Sequence, residues 1–508
     1  MASNGNLGGV VGESDLTRFG LRDLKNTDRF VLLSMLVCLF GIRVVMMIWL
    51  PMTDTTEARY AEIARMMLET GNWITPQYDY DVPFWGKPPL HTWASAAGMM
   101  FFGIGEFGAR LPVVFISAGV MWAVFTFTRR HLGTDQALMC SAVLLSSFLF
   151  FGASAFVMTD IALALGTTIC MCAFYTAVNT NGQNNTWQVL FFAGLAIGLL
   201  AKGPVALVLT AIPLVIWVLI GGRWAQLRKI QWGKGFFLTA LASLPWYLAA
   251  EWATPGFLRY FLVGEHFERF IVSDWQGDLY GSGHARPKGI IWLYACAAFL
   301  PWIFFALALL RHYRSVALAI IDDMRGWYSY LFLWAISPMI LFTPAANVLP
   351  AYVLPGIPAA SILLVSLWSG AQRGVGRGAR YMFVGAIGVT GACYMCIALL
   401  LVYIPEKLNL RTEKFLVAQV HRIDPDAHLT YLGKRIYSAE FYTAGQVSFV
   451  NELSKVDDLL TNARVDAVAI PKRLLPELHG VLADQFASAG MFRDKLLFVE
   501  QARPESSQ

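Results

Sequence analysis

The sequence predicts an α-helical polytopic membrane protein with a small C-terminal α/β domain, and three observations carry that reading. Of the 508 residues, 56% are hydrophobic and 14% charged, roughly half the charge of an ordinary soluble domain. Apolar segments of about 20 residues, the length that crosses a bilayer, recur along most of the chain. From residue 405 the pattern changes to short apolar runs alternating with charged helical stretches, as in a compact α/β unit. This composition excludes an ordinary soluble enzyme, a disordered protein and a nucleic-acid binder.

About eleven crossings fit the pattern, near 30–50, 109–128, 136–155, 161–178, 187–201, 204–221, 235–250, 289–310, 328–343, 349–369 and 381–404. The first lacks a small-residue cleavage site and follows a polar stretch holding Arg18, Arg22, Lys25 and Arg29. It reads as a retained helix behind a cytoplasmic N-terminal segment, 1–28, and not as a signal peptide. Alternation then puts Arg129 and Arg130, Arg223 to Lys234, Arg311 and Arg314, and Arg373, Arg377 and Arg380 in cytoplasmic loops. The net charge of +5 is therefore largely topology. An odd number of crossings leaves residues 405–508 outside. The seven cysteines all lie in apolar stretches without companion ligands and read as small buried hydrophobes.

Within 405–508, the runs LTYLG, VSFVNE, VDAVAIP and KLLFVE read as strands, separated by the helical SAEFYTAG, LSKVDDLLTN and PELHGVLADQF. This region has no cysteine and no catalytic cluster, and reads as a structural or acceptor-docking module.

Two outer loops, 51–108 and 251–288, are too long to be turns, and long ordered loops are usually functional. In the first, Ala58, Ala61, Ile63, Ala64, Met67 and Leu68 trace an amphipathic helix that Gly71 ends. Pro88-Pro89 starts a second apolar helix, so two helices along the outer membrane face are expected. Asp54-x-x-Glu57 is a capping-box pattern. The same acids stand beside Arg59, Tyr60 and Lys87, which suits a base taking a proton from a nucleophile while cations hold a departing phosphate. Asp160, at the outer end of a helix pair, is either an N-cap or an acid facing a polar cavity. Lys202, a lone cation between apolar helices, either snorkels or meets a phosphate headgroup. In GEHFERF, His266 and Arg269 share a helix face, which is either solvated or set to contact phosphate or metal. Tyr352, in the proline-broken TPAANVLPAYVLPGIP, points into the cavity or joins the interfacial aromatic belt.

These candidates converge on one side of the membrane. A transporter needs ionisable groups near the midplane, and beyond Arg43 in the first span there are few. No Walker A pattern is present, and the glycines at 374, 376 and 378 follow no strand. An outer-face enzyme without nucleotide must receive its activated substrate through the lipid.

TEARYAEIARMML, a Lys-Pro-Pro turn about thirty residues on, Asp160, Ala201-Lys202-Gly203, Glu-His-x-x-Arg-Phe and Leu-Pro-x-Tyr-x-Leu-Pro occur in that order. Over most of 30–360 the chain resembles the lipid-to-acceptor glycosyltransferases of the protein-mannosyltransferase superfamily (glycosyltransferase families 39 and 83), most of all the undecaprenyl-phosphate aminoarabinose transferases that modify lipid A. The resemblance implies a GT-C fold of about 11 to 13 transmembrane helices, with residues 29–404 as the catalytic domain. It implies a polyprenyl-phosphate sugar donor and inversion at the anomeric carbon. Carried over, Asp54 or Glu57 is the base or acceptor-orienting acid, and Asp160 is a second acid of the cavity. Arg59, Tyr60, Lys87, Lys202, His266, Arg269 and Tyr352 hold the donor phosphate.

The chain departs from the family pattern at three points. Relatives commonly place Asp before the Glu of x-Arg-Tyr, where this chain has Thr56. Many carry Glu-Lys-Pro where this chain has Gly86-Lys87-Pro88, so the acid that could join His266 around a divalent metal is missing, and neither metal nor other cofactor is expected. A lysine is frequent near Asn347, whose presence suggests a different donor headgroup. The expected function is transfer of a sugar from undecaprenyl phosphate to lipid A or a related envelope acceptor, with membrane lipid as the other partner. A protein O-mannosyltransferase acting on Ser or Thr and a lipid-linked sugar flippase are the alternatives.

Overall fold

The computed structural model describes residues 26–180, 185–273, 275–281, 286–309, 311, 313–321, 323, 326–371, 377–450, 465–475 and 486–500. The N-terminal basic cluster Arg18, Arg22 and Lys25, the loop residue Arg373, and nearly all of the two helical stretches expected at 453–462 and 476–486 lie outside these. The helices are α1 (Asn26–Trp49), α2 (Thr56–Thr70), α3 (Leu90–Phe102), α4 (Glu106–Leu132), α5 (Thr134–Ser146), α6 (Phe148–Ala153), α7 (Thr159–Asn179), α8 (Asn185–Lys202) and α9 (Val205–Gly221). Apolar helices Trp232–Ala253, Trp327–Phe342, Ile357–Ala371 and Arg377–Tyr403 follow.

Every expected crossing falls on a helix or a broken helix pair. Among the described residues six helices are long and apolar enough to cross a membrane, or seven if a pair bent by 106° at Ala298–Trp302 is one span. The expected span 136–155 is α5 and α6, interrupted at Ser147. Arg43 of α1 satisfies the end of α6, its Nε and Nη2 each donating at 2.8 Å to the carbonyls of Phe151 and Gly152. A guanidinium inside an apolar bundle thus serves as a helix C-cap. Large apolar side chains such as Phe115, Trp122, Ile220 and Phe237 are exposed on the helix flanks, as a lipid-facing surface requires. Cys38, Cys296, Cys393 and Cys396 are exposed in the same way, while Cys140, Cys170 and Cys172 are buried. The expectation of seven buried thiols is corrected: for four of them the apolar surroundings are lipid.

Helices α7 and α8 pack main chain against main chain. A Cβ on Gly166 would lie 2.7 Å from the Gly198 nitrogen and 2.8 Å from the Gly194 oxygen, so no side chain fits there. Close approach through small residues is the main source of helix affinity in a bilayer, where apolar burial against lipid gains little. The antiparallel pairing sets the first turn of α7 beside the last turn of α8.

In the segment 51–108 α2 ends at Gly71, left-handed at φ 69°, and α3 follows as expected. Between them lies an unexpected two-stranded hairpin, β1 (Gln77–Asp79) and β2 (Val82–Pro83). The C-terminal sheet has β3 (His428–Leu432), β4 (Val447–Val450), β5 (Asp466–Pro471), β6 (Phe486–Phe492) and β7 (Lys495–Glu500), ordered β4-β3-β5-β7-β6. The first three strands are parallel and the last two antiparallel. β6 was not legible in sequence. A short helix, Tyr437–Tyr442, docks this domain on the first outer loop. The Tyr442 hydroxyl donates to Glu106 at 2.8 Å, Lys414 pairs with Glu106 at 2.5 Å, and the Tyr78 and Tyr437 hydroxyls meet at 2.6 Å.

Arg435 and Glu440 pair at 2.7 Å in this junction. Burial, against the pull of Arg435, pushes the Glu440 carboxyl up to about 7. The folded chain therefore holds a proton that the unfolded chain releases near 4.5. This group's stabilisation is full below that value and is lost as pH rises through about 7. Melting temperatures of the detergent-purified chain should fall between pH 5 and 7.5 more steeply for wild type than for Glu440→Gln; parallel profiles would refute the assignment.

Candidate active site

The α7–α8 pairing creates the centre of the site. Asp160, in the first turn of α7, accepts from the Lys202 Nζ at the end of α8 at 2.5 Å. The Tyr352 ring lies 4.2 Å from that ammonium, a cation–π contact. Tyr352 belongs to a 3₁₀ segment, Pro350–Gly356, and rests on Phe342. It therefore faces the site and not the aromatic belt.

A second group of charges adjoins the first. Lys87 Nζ pairs with Glu265 Oε2 at 3.2 Å, and Arg269 Nη1 donates to both Glu265 oxygens at 2.9 and 3.0 Å. Arg269 also approaches Asp278 at 3.5 Å. Burial pulls Lys87 below the usual lysine value while Glu265 opposes it, and Arg269, Tyr352 and Lys202 all act on the same ammonium. Burial would raise Glu265, but Lys87 and Arg269 together hold it below its ordinary range. The two groups thus form one electrostatic cluster of three cations, three carboxylates and a tyrosine. Tyr60, buried edge-on to Phe84 and His91, lies in the field of Lys202, Asp160 and Glu265.

Glu265 and Arg269 flank the end of a π-helix, Tyr260–Glu268, a winding that is rare and concentrated at functional sites. Sequence reasoning placed His266 on the phosphate; the structure sets it against the main chain. Both ring nitrogens face main-chain carbonyls, Nδ1 that of Phe261 at 2.7 Å and Nε2 that of Lys202 at 3.1 Å. His266 therefore brackets the π-helix to the end of α8. Gly203 allows the approach: with φ 75°, a Cβ there would sit 2.5 Å from Phe261. Asn347 is likewise committed, its Nδ2 donating to the carbonyls of Arg269 at 2.8 Å and Val272 at 3.2 Å. It holds the Arg269 main chain, while its Oδ1 is buried without a hydrogen-bond partner among the described residues.

The two acids of the first loop also lie elsewhere than expected. Glu57 is fully buried in a bidentate pair with Arg110, Nε to Oε1 and Nη2 to Oε2 both at 2.7 Å. Arg110 also donates to the carbonyls of Met47 at 2.8 Å, Pro51 at 3.1 Å and Leu50. Glu57 so engaged is an anchor and not a free base. Asp54 accepts from the Ser438 main-chain N–H at 3.0 Å and from its hydroxyl, and so joins the C-terminal domain, not a capping box. Burial raises its carboxyl above the ordinary range, with Ser438 opposing. Arg59 donates to the Tyr280 carbonyl at 3.0 Å between the rings of Tyr60 and Tyr437. Among its described contacts there is no carboxylate.

Reasoning from sequence missed Arg110 and Glu265 as partners. Arg110 had a signal, a lone cation at the head of an apolar span. Glu265 stands against Gly86: a Cβ there would meet its Oε1 at 3.3 Å. The carboxylate that meets Lys87 thus comes from far along the chain, 178 positions away. Among the described residues no group of three or more His, Cys, Asp or Glu side chains is placed to hold a metal. A cavity of about 550 Å³ in the C-terminal domain, lined by residues including His421, Asp426 and His428, shares no residue with this cluster.

A helical membrane bundle with paired charges at one end, the helices α2 and α3 packed beside them, and a small α/β domain defines an integral-membrane glycosyltransferase of GT-C fold. The family described as dolichyl-phosphate-mannose-protein mannosyltransferase matches residues 28–261. An undecaprenyl phosphate-α-4-amino-4-deoxy-L-arabinose arabinosyl transferase from Shewanella sediminis is 30% identical over 403 residues, 75% of this chain and 68% of the relative. One from Edwardsiella ictaluri is 31% identical over 63% of this chain and 55% of its own length, so the chain spans little more than half of some relatives. The chain belongs to this arabinosyl transferase family. The crystal structure of ArnT from Cupriavidus metallidurans bound to undecaprenyl phosphate shares the fold, with a TM-score of 0.75 at 18% identity over 94% of this chain and 99% of that one. Its apo form gives 0.72.

Breaking a buried ion pair by removing one partner costs about 3–5 kcal/mol. Glu57→Gln should therefore lower thermal stability by that order while the remaining folded fraction keeps transferase activity. A stable Glu57→Gln protein devoid of activity would return Glu57 to the chemistry.

Proposed function

We propose that this chain moves a sugar from undecaprenyl phosphate to lipid A or a related anionic envelope acceptor, with the site and the C-terminal domain on the periplasmic face. Its relatives are named for 4-amino-4-deoxy-L-arabinose. The observation that carries the reading is the joining of Lys87, Lys202, Arg269 and Tyr352 with Asp160 at one end of the bundle. In this reading the acceptor oxygen attacks the anomeric carbon as the carbon–oxygen bond to phosphate breaks. The electron pair leaves on undecaprenyl phosphate, whose added negative charge Lys87, Arg269 and Lys202 stabilise. Asp160 orients the acceptor and takes its proton; of the three acids first considered it alone stands among these cations. With three fixed cations beside the leaving group, no metal is required.

Purified protein supplied with undecaprenyl-phosphate sugar should label lipid A, and mass spectrometry should find the same mass added in cells and missing from a deletion strain. Labelled secreted protein instead would favour the Ser or Thr acceptor, and donor movement across vesicles without transfer would favour a flippase. Asp160→Asn should lower kcat by about 100-fold or more, the range of general acid–base catalysis. Full activity in that variant would remove Asp160 from the mechanism. Treatment with EDTA should leave the rate unchanged, and loss restored by a divalent cation would overturn the metal-free step.

A further inference from the structure

We infer that Glu265 is a resident counter-ion which the donor phosphate displaces, so that donor binding is an exchange of anions and not a simple addition. The inference rests on the phosphate role proposed for Lys87 and Arg269. It follows first from charge. The cations Lys87, Lys202 and Arg269 are matched by Glu265, Asp160 and Asp278, so this six-residue cluster is formally neutral. Adding a phosphodiester anion to a neutral, largely buried cluster leaves an uncompensated charge where the dielectric is low. Either an acid gives up its place or the phosphate is held weakly.

The geometry selects the acid. Asp160 holds Lys202 from the first turn of α7, a rigid position, and Asp278 reaches Arg269 only at 3.5 Å. Glu265 alone bridges two cations, one oxygen toward Lys87 at 3.2 Å and both toward Arg269 at 2.9 and 3.0 Å. A carboxylate lying on a guanidinium and an ammonium occupies the positions that two phosphate oxygens take on the same groups. A donor reaching Lys87 and Arg269 must compete for the donors that Glu265 now uses. The carboxylate lies against Gly86 beside the Phe84 ring, where a Cβ would meet Phe84 at 2.9 Å and the Glu265 Oε1 at 3.3 Å. The main chain need not move: His266, the next residue, stays bracketed to Phe261 and Lys202 while the flexible Glu265 side chain swings out.

Binding of undecaprenyl phosphate to the full detergent-purified chain tests this, with Lys87→Ala and Arg269→Ala as references. Glu265→Gln and Glu265→Ala should bind at least about fivefold tighter, since a like charge a few ångströms from the phosphate is removed. Donor KM should fall in proportion, without a rise in kcat. A purely structural Glu265 predicts the opposite, weaker binding as Lys87 and Arg269 lose their support. If the Lys87 and Arg269 variants bind less well but the Glu265 variants bind equally or more weakly, the exchange is wrong and the phosphate site stands. Wild-type binding in the Lys87 and Arg269 variants would sink the phosphate site and the exchange together. A structure of the unaltered chain with undecaprenyl phosphate bound decides independently of any variant: Glu265 should have left Lys87, and an intact pair beside bound phosphate overturns the inference.

Discussion

The bidentate pair of Glu57 and Arg110 ties together more of this molecule than any other contact described above. Arg110 rises from α4 and takes up the last carbonyls of α1 and the Pro51 carbonyl beyond it, while Glu57 comes from α2. The Val157 main-chain N–H, just before α7, also donates to Glu57 at 3.4 Å. Four elements therefore meet on one charge pair from which water is excluded. Neither charge could remain buried alone, since a lone ion in such a place would lose several kcal/mol of hydration. The requirement that each charge find its partner fixes the orientation of α2 against the bundle.

The same constraint orders the rest of this end of the molecule. Arg65 is paired with Glu62 and Glu69, Lys202 with Asp160, Lys495 with Glu413, and Lys87 and Arg269 share Glu265. What separates the site from the purely structural pairs is incompleteness. Lys202 faces an aromatic ring on one side and one acid on the other, and two cations share a single carboxylate. A structural pair such as Glu57–Arg110 has its hydrogen-bonding capacity filled from fixed positions. A cluster that shares partners can exchange them for a ligand at little loss, which is the property an anion-binding site requires.

Sequence made the membrane class legible because hydrophobic length is a local property, and each expected span coincides with a helix or a broken pair. It singled out Asp160, Lys202, Lys87, Arg269 and Tyr352, which the structure brings together, for the complementary reason: polar groups in apolar surroundings are conspicuous. Pairing was not legible. Glu57 in a capping-box spacing looked available for catalysis, because its true partner lies 53 positions away. His266 looked like a ligand because nothing local shows that both its nitrogens meet carbonyls. The hairpin β1–β2 and strand β6 were lost for another reason: short strands without strong alternation carry little periodic signal.

Helix α2 shows how these levels connect. At its start Glu57 faces the bundle, and one turn later Tyr60 and Arg59 face the charge cluster and the C-terminal domain, with Arg59 lying against Tyr437. Further along, Arg65 binds Glu62, Glu69 and the Tyr80 hydroxyl, and its guanidinium lies close enough to Gly445 to leave no room for a side chain there. Glycine at 445 is thus required twice, by a φ of 82° and by that contact. One 15-residue helix is consequently held at its head by the membrane bundle and at its tail by the C-terminal domain. The domain that sequence read as a structural or acceptor-docking module thus touches, through Tyr437, the same helix that carries Tyr60 into the field of the charge cluster.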